Sequence, residues 1–154
     1  MILAHLHQNM VTSNAAEAFT LQIKSCFGEK QQNKIEYMPV EALYLIEKGK
    51  VRLHKGTKEL DFDAAFAILK KQDKQLDMKY TVYSDMRNKG SILKSGLKFG
   101  ADFRVYERGT RPSEEHARWL LFVTKASAAL DWRDFAAKSR VAHATRKHLL
   151  IGIV

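Results

Sequence analysis

The stretch Lys98-Phe99-Gly100-Ala101-Asp102-Phe103-Arg104-Val105-Tyr106-Glu107-Arg108-Gly109 decides how the second half of the chain is read. Phe103 and Val105 alternate with Asp102, Arg104 and Tyr106, which is the period-two pattern of a half-buried strand. That reading puts Tyr106 on the polar, exposed face of its strand, near the end, where the loop Gly109 to Glu115 begins. His116 follows, just before Trp119-Leu120-Leu121-Phe122-Val123. This segment is nearly all apolar, so it is predicted to be a central strand.

Working outward, Trp132 to Lys147 is predicted helical and Leu149 to Val154 a final apolar strand. Upstream, Ser91 to Lys94 is strand-like, and Gln75 to Lys89 is predicted as a helix ended by Gly90. Asp61 is placed to cap a helix through Ala64, Phe66, Leu69 and Lys70. Val51 to Leu53 reads as a short strand. Pro39 opens a helix over Val40 to Lys48, where its missing N–H does no harm, and Gly49 follows its end. Ile35 to Met38 alternates as a strand, and residues 14–27 form a short helix or strand. The expected fold is α/β (α+β): a small α/β N-terminal domain over residues 1–78, then a mixed-sheet C-terminal domain over 79–154.

The charge is uneven in a way that matches this division. Of the formal net +9, residues 1–78 carry 11 Lys/Arg against 10 Asp/Glu, and residues 79–154 carry 15 against 7. A localised positive field is the footprint of a polyanionic partner. With 45% hydrophobic residues the chain can bury a core. Cys26 is the single cysteine, which excludes a disulfide framework and a cysteine-based zinc site and fits a cytoplasmic location. Met1 to His7 is too short and polar for a signal peptide, and no apolar run approaches membrane-spanning length.

Three side chains near the central strands carry acid–base and electrostatic chemistry. Tyr106 is a phenol that ordinarily titrates near ~10, in a region with the cations Arg104, Arg108 and Lys147, and it is a candidate to take a proton from a ribose 2′-hydroxyl. His116 ordinarily titrates near ~6.5 and suits protonation of a leaving 5′-oxygen at neutral pH. Lys147 follows Arg140 by seven residues, two turns of the predicted helix, so both are expected on one side of it. An ammonium there suits the extra charge of a pentacoordinate phosphate. Each residue alone has an ordinary structural reading: a rim tyrosine, a surface histidine, a cation near a helix C-terminus.

Taken together with the words around them, the residues closely resemble the archaeal tRNA-splicing endonucleases. The resemblance is carried by Lys98 to Tyr106, the gap to His116, and Arg140-Val141-Ala142-His143 followed by Arg146-Lys147 and Leu149-Leu150-Ile151. It covers residues 80–154 most strongly, and Tyr37-Met38-Pro39-Val40 through Gly49 looks like the family's smaller N-terminal domain. The resemblance implies metal-free cleavage of precursor tRNA at bulge–helix–bulge junctions, leaving a 2′,3′-cyclic phosphate and a 5′-hydroxyl. It assigns Tyr106 as general base, His116 as general acid and Lys147 as the transition-state cation, and makes Arg140 one of two arginines that sandwich a bulged base. No cofactor is implied.

Relatives usually continue past the Leu149–Val154 strand with a turn and one further strand that forms the subunit pairing surface, and an acidic loop nearby docks onto an opposite subunit. Here both are missing. The expectation is therefore a homo- or hetero-oligomeric partner supplying that strand, or a segment of a longer or processed protein. Two rival readings are a non-catalytic RNA-binding subunit of the same assembly and a metal-dependent nuclease using Asp102 and Glu107. The five-residue separation of those two along one strand would put them on opposite faces, and Asp102 is expected instead to pair with a neighbouring cation.

Overall fold

Ile2, Ala4 and Leu6 are buried while Leu3, His5 and His7 face outward, and this alternation builds the first strand, β1 (Ile2–His7). The sequence reading tested these residues only as a leader peptide and missed the strand. In the computed structural model, which describes residues 1–154, β1 turns through Gln8 (φ 54°) into β2 (Met10–Ser13). Then follow α1 (Ala16–Ser25), β3 (Glu29–Gln31), β4 (Lys34–Tyr37), α2 (Pro39–Glu47), β5 (Val51–Lys55), β6 (Lys58–Leu60) and α3 (Phe62–Lys70). The strands form one sheet in the order β3-β4-β2-β1-β5-β6, with only β1 and β5 parallel.

Residues 14–27, which the sequence allows as helix or strand, contain α1 (Ala16–Ser25). Helix α2 is buried from Val40 through Leu45, charged Glu41 included. The Glu41 carboxylate accepts from the Met38 amide at 3.0 Å and from the Gly28 amide at 3.1 Å. It satisfies donors at the helix start and in the preceding turn, as a capping glutamate does. Asp61 caps α3 through the Ala64 amide at 2.8 Å, as its position in the sequence predicted. These elements belong to the first of two compact units, Met1–Tyr80 and Thr81–Val154.

The second unit holds most of α4 (Leu76–Asn88), then β7 (Ile92–Ser95), a 3-10 turn (Leu97–Phe99), β8 (Phe103–Tyr106), β9 (Trp119–Thr124), α5 (Trp132–Ala144) and β10 (His148–Ile153). Its sheet runs β10-β9-β8-β7, with β9 central as expected. Strand β9 is antiparallel to β8 and parallel to β10. Both faces are covered. On one, the Phe103 ring packs 5.8 Å from Tyr83 of α4, and a Cβ on Gly152 would lie 3.1 Å from a Val82 methyl. On the other, Leu120, Phe122 and Ala101 pack with Ala142 of α5, joined by Phe99, Leu149 and Ile151. Gly96 keeps the turn before Phe99 tight, since a Cβ there would stand 2.8 Å from the Ala101 carbonyl oxygen.

The last helix ends earlier than the sequence predicted. Helix α5 stops at Ala144 and not at Lys147. Arg146 adopts the left-handed conformation (φ 56°), its amide bonds the His143 carbonyl at 3.0 Å, and the Lys147 amide bonds the Ala142 carbonyl at 2.8 Å. This is a Schellman closure with arginine where glycine is usual. A side chain held in that conformation costs about 1–2 kcal/mol. Lys147 therefore does not share a helix face with Arg140; it stands on the segment that leads into β10.

Candidate active site

Strand polarity brings the three candidate groups to one end of one sheet. Because β8 runs antiparallel to β9, and β9 parallel to β10, the C-terminal end of β8 lies beside the N-terminal ends of β9 and β10. Tyr106 is the last residue of β8, His116 precedes β9 by three residues, and Lys147 precedes β10 by one. The register ties the ends together. Val105 pairs with Trp119 and His148 with Trp119, the Arg118 amide bonds the Val105 carbonyl at 2.9 Å, and the His148 amide bonds the Arg118 carbonyl at 2.8 Å. With strands ~4.8 Å apart, the backbones of Tyr106 and Lys147 stand about 10 Å from each other.

The face agrees as well as the end. Arg104 pairs with Leu120, which packs toward α5, and Tyr106 shares the Arg104 side of β8. The Lys147 ammonium sits 5.0 Å from the centre of the Phe99 ring, which joins the cluster on that same face, and donates to the Thr145 carbonyl at 3.3 Å. A ring under a cation attracts it and holds it in place. Tyr106 is nevertheless not the exposed rim residue that alternation suggested. It is 3% exposed, so the side of β8 that alternation marks as polar is interior at this position. Arg104 donates from Nε to the Ser95 carbonyl at 2.7 Å, so this cation is tied to the adjacent strand.

His116 is exposed in the loop between β8 and β9. A clamp that the sequence reading missed closes the base of that loop. Glu107 and Arg118 form an ion pair, and the Arg118 guanidinium lies 5.1 Å from the Trp119 ring centre. The signal was available: acid and base flank the loop where a two-stranded ladder must close. Next to His116, Ala117 is buried and anchors the re-entry into β9. Arg140 is exposed on α5, and no carboxylate side chain occurs anywhere from Phe135 to Val154.

The proposed metal ligands are engaged elsewhere. Asp102 accepts the Val123 amide at 2.7 Å and so holds the approach to β8 against β9. Glu107 is the partner of Arg118, beyond the end of the strand. No three His, Cys, Asp or Glu side chains converge as metal ligands would. No helix is long and apolar enough to cross a membrane.

Comparison with known proteins identifies the family. The sequence pattern of the tRNA intron endonuclease catalytic C-terminal domain matches residues 76–154, and that of the tRNA intron endonuclease N-terminal domain matches residues 2–66. The chain is 38% identical over its whole length to the tRNA-splicing endonuclease of Thermococcus kodakarensis, covering 90% of that protein. It is 43% identical to the tRNA-splicing endonuclease of Thermococcus onnurineus, over 83% of this chain and 73% of the relative. The corresponding figures for the Nanoarchaeum equitans protein of that name are 39%, 75% and 79%. Two domain patterns in the right order and relatives matched over most of their length lead to one conclusion: the chain belongs to the tRNA intron endonuclease family.

Proposed function

We propose that this chain is a catalytic unit of an endoribonuclease that excises introns from precursor tRNA at bulge–helix–bulge junctions. The observation that carries the reading is the meeting of the β8, β9 and β10 ends, which gathers a phenol, an imidazole and an ammonium at one edge of a basic unit. Tyr106 takes the proton of the ribose 2′-hydroxyl as its oxygen bonds to phosphorus. The bond from phosphorus to the 5′-oxygen breaks, and His116 protonates that leaving oxygen. Lys147 offsets the charge gathering on the non-bridging oxygens. The products are a 2′,3′-cyclic phosphate and a 5′-hydroxyl, and no water or metal enters the step.

Arg140, exposed on α5 within a stretch from Phe135 to Val154 that contains no Asp or Glu, stacks on a bulged base. Unpaired bases suit such readout, because the A-form groove hides base edges that a bulge presents. The unit also needs a partner. Strand β10 pairs with β9 on one side only, and beside its other edge lies an apolar groove of about 470 Å³ lined by Val82, Met86, Leu121 and Ile153. Ile153 is 68% exposed. A strand from a second subunit fits that edge and would cover it.

The test is cleavage of a bulge–helix–bulge RNA by the purified chain in excess EDTA, beside His116→Ala. Cutting by the wild type alone, with a cyclic phosphate on the 5′ fragment, is expected. Cutting by both, or a product with a 3′-hydroxyl, would overturn the assignment.

A further inference from the structure

We infer that Arg146 is a phosphate-binding residue of this site, a positioning cation distinct from Tyr106, His116, Lys147 and Arg140; the inference rests on the RNA-cleaving role proposed above. Four non-glycine residues take left-handed backbone conformations here: Gln8, Cys26, Gln32 and Arg146. Gln8 and Gln32 sit in two-residue hairpin connections, and Cys26 closes α1. Arg146 alone is a cation, and it alone adjoins a residue of the candidate site.

Its position is fixed by two backbone bonds, from its own amide to His143 and from the Lys147 amide to Ala142. Glycine closes such a turn without strain, so arginine there is not explained by the fold. A side chain kept at a conformational cost beside a functional residue is the usual mark of a role outside folding. The surroundings specify that role. Arg146 is exposed, makes no ion pair, and lies in a segment free of carboxylates from Phe135 to Val154. The Lys147 backbone amide is tied to the same turn. An arginine guanidinium offers a planar fork suited to two phosphate oxygens. The closed turn sets Arg146 immediately before Lys147 in the chain, so the chemical class it takes is a phosphodiester of the RNA strand flanking the scissile bond.

Structure and function are separable at this position, because the residue best for the turn is the one that lacks the charge. Arg146→Gly should raise Tm by about 2–4 °C. It should also weaken binding of a bulge–helix–bulge RNA, blocked by a 2′-deoxyribose at the scissile position, by about 5–10-fold, with the slope of log affinity against log salt shallower by about 1. Single-turnover cleavage of the unblocked RNA at saturating enzyme should stay within about 3-fold of wild type, since the residue positions substrate and does not touch the reacting atoms. Arg146→Asn, neutral but tolerant of the same backbone, should lose binding to the same extent. Arg146→Lys should keep the salt slope.

Unchanged affinity and slope in both Arg146→Gly and Arg146→Asn would overturn the inference while leaving the RNA-cleaving role intact. A wild-type chain with no salt-dependent affinity for the RNA would instead overturn the underlying reading, and this inference with it.

Discussion

Replacing Asp102 separates a structural carboxylate from a catalytic one. Its Oδ2 accepts the Val123 amide at 2.7 Å, and its own amide donates to the Leu121 carbonyl at 3.0 Å, so the residue stitches the approach to β8 onto β9. A hydrogen bond to a charged acceptor contributes about 1.5–3 kcal/mol and a neutral one about 0.5–1.5 kcal/mol. Asp102→Asn keeps a carbonyl oxygen in place and should cost about 1 kcal/mol, whereas Asp102→Ala strands the Val123 amide and should cost about 2–3 kcal/mol. At this chain length each kilocalorie is worth about 2–4 °C, so Tm should fall by about 2–4 °C for Asn and 4–12 °C for Ala. The assay is thermal unfolding paired with single-turnover cleavage in EDTA, at a temperature where all three proteins are folded. Cleavage by Asp102→Asn should stay within about 5-fold of wild type, because a neutral amide preserves the stitch. A loss of 100-fold or more with stability unchanged would refute the reasoning and place the carboxylate in the chemistry.

Tyr106→Phe and His116→Ala should each slow single-turnover cleavage by at least about 100-fold while RNA affinity, read by filter retention, moves less than about 3-fold. Arg140→Ala should instead weaken RNA binding by about 1–3 kcal/mol, and equal binding to bulged and fully paired RNA by the wild type would remove the reason for the stack. Burial, and then the negative charge of Glu41, pushes the Tyr37 phenol up to about 12. An unfolded tyrosine loses its proton near ~10, so stability from this group is whole below pH ~10 and is lost as pH rises toward about 12, to the extent of about 2–3 kcal/mol. Urea unfolding against pH should show that loss, and Tyr37→Phe should remove this part of it. Ile153→Lys, on the open edge of β10, should lower the oligomeric state seen by light scattering without lowering Tm by more than about 2 °C; unchanged mass would show that this edge is not the subunit contact.

Much of the fold was legible because its signals are local. Pro39, the Asp61 cap and the apolar run at Trp119 to Val123 each report on a few neighbouring residues, and the corresponding elements stand where they were expected. The misreadings share a different cause. Alternation in Phe103 to Tyr106 gives the side of the strand, but burial depends on what covers that side, which alternation does not carry. The end of α5 was missed because its stop signal is backbone conformation at an arginine, where sequence rules look for glycine. Strand β1 was overlooked because its histidines made the segment look polar, although Ile2, Ala4 and Leu6 already spelled the inner face. For the site, the residue types and their order were readable, while the edge that unites them is a product of strand direction.

That edge has a bearing on when the protein can act. Residues 106, 116 and 147 are brought together only after β10 has taken its place beside β9, and β10 is separated from β9 in the chain by α5. A nascent chain that has already folded its first unit, and even β7 to β9, still lacks the cation beside the phenol. The candidate site therefore depends on the α5–β10 crossover docking on the sheet, and a change that undocks β10 would part the cation from the phenol without altering either residue.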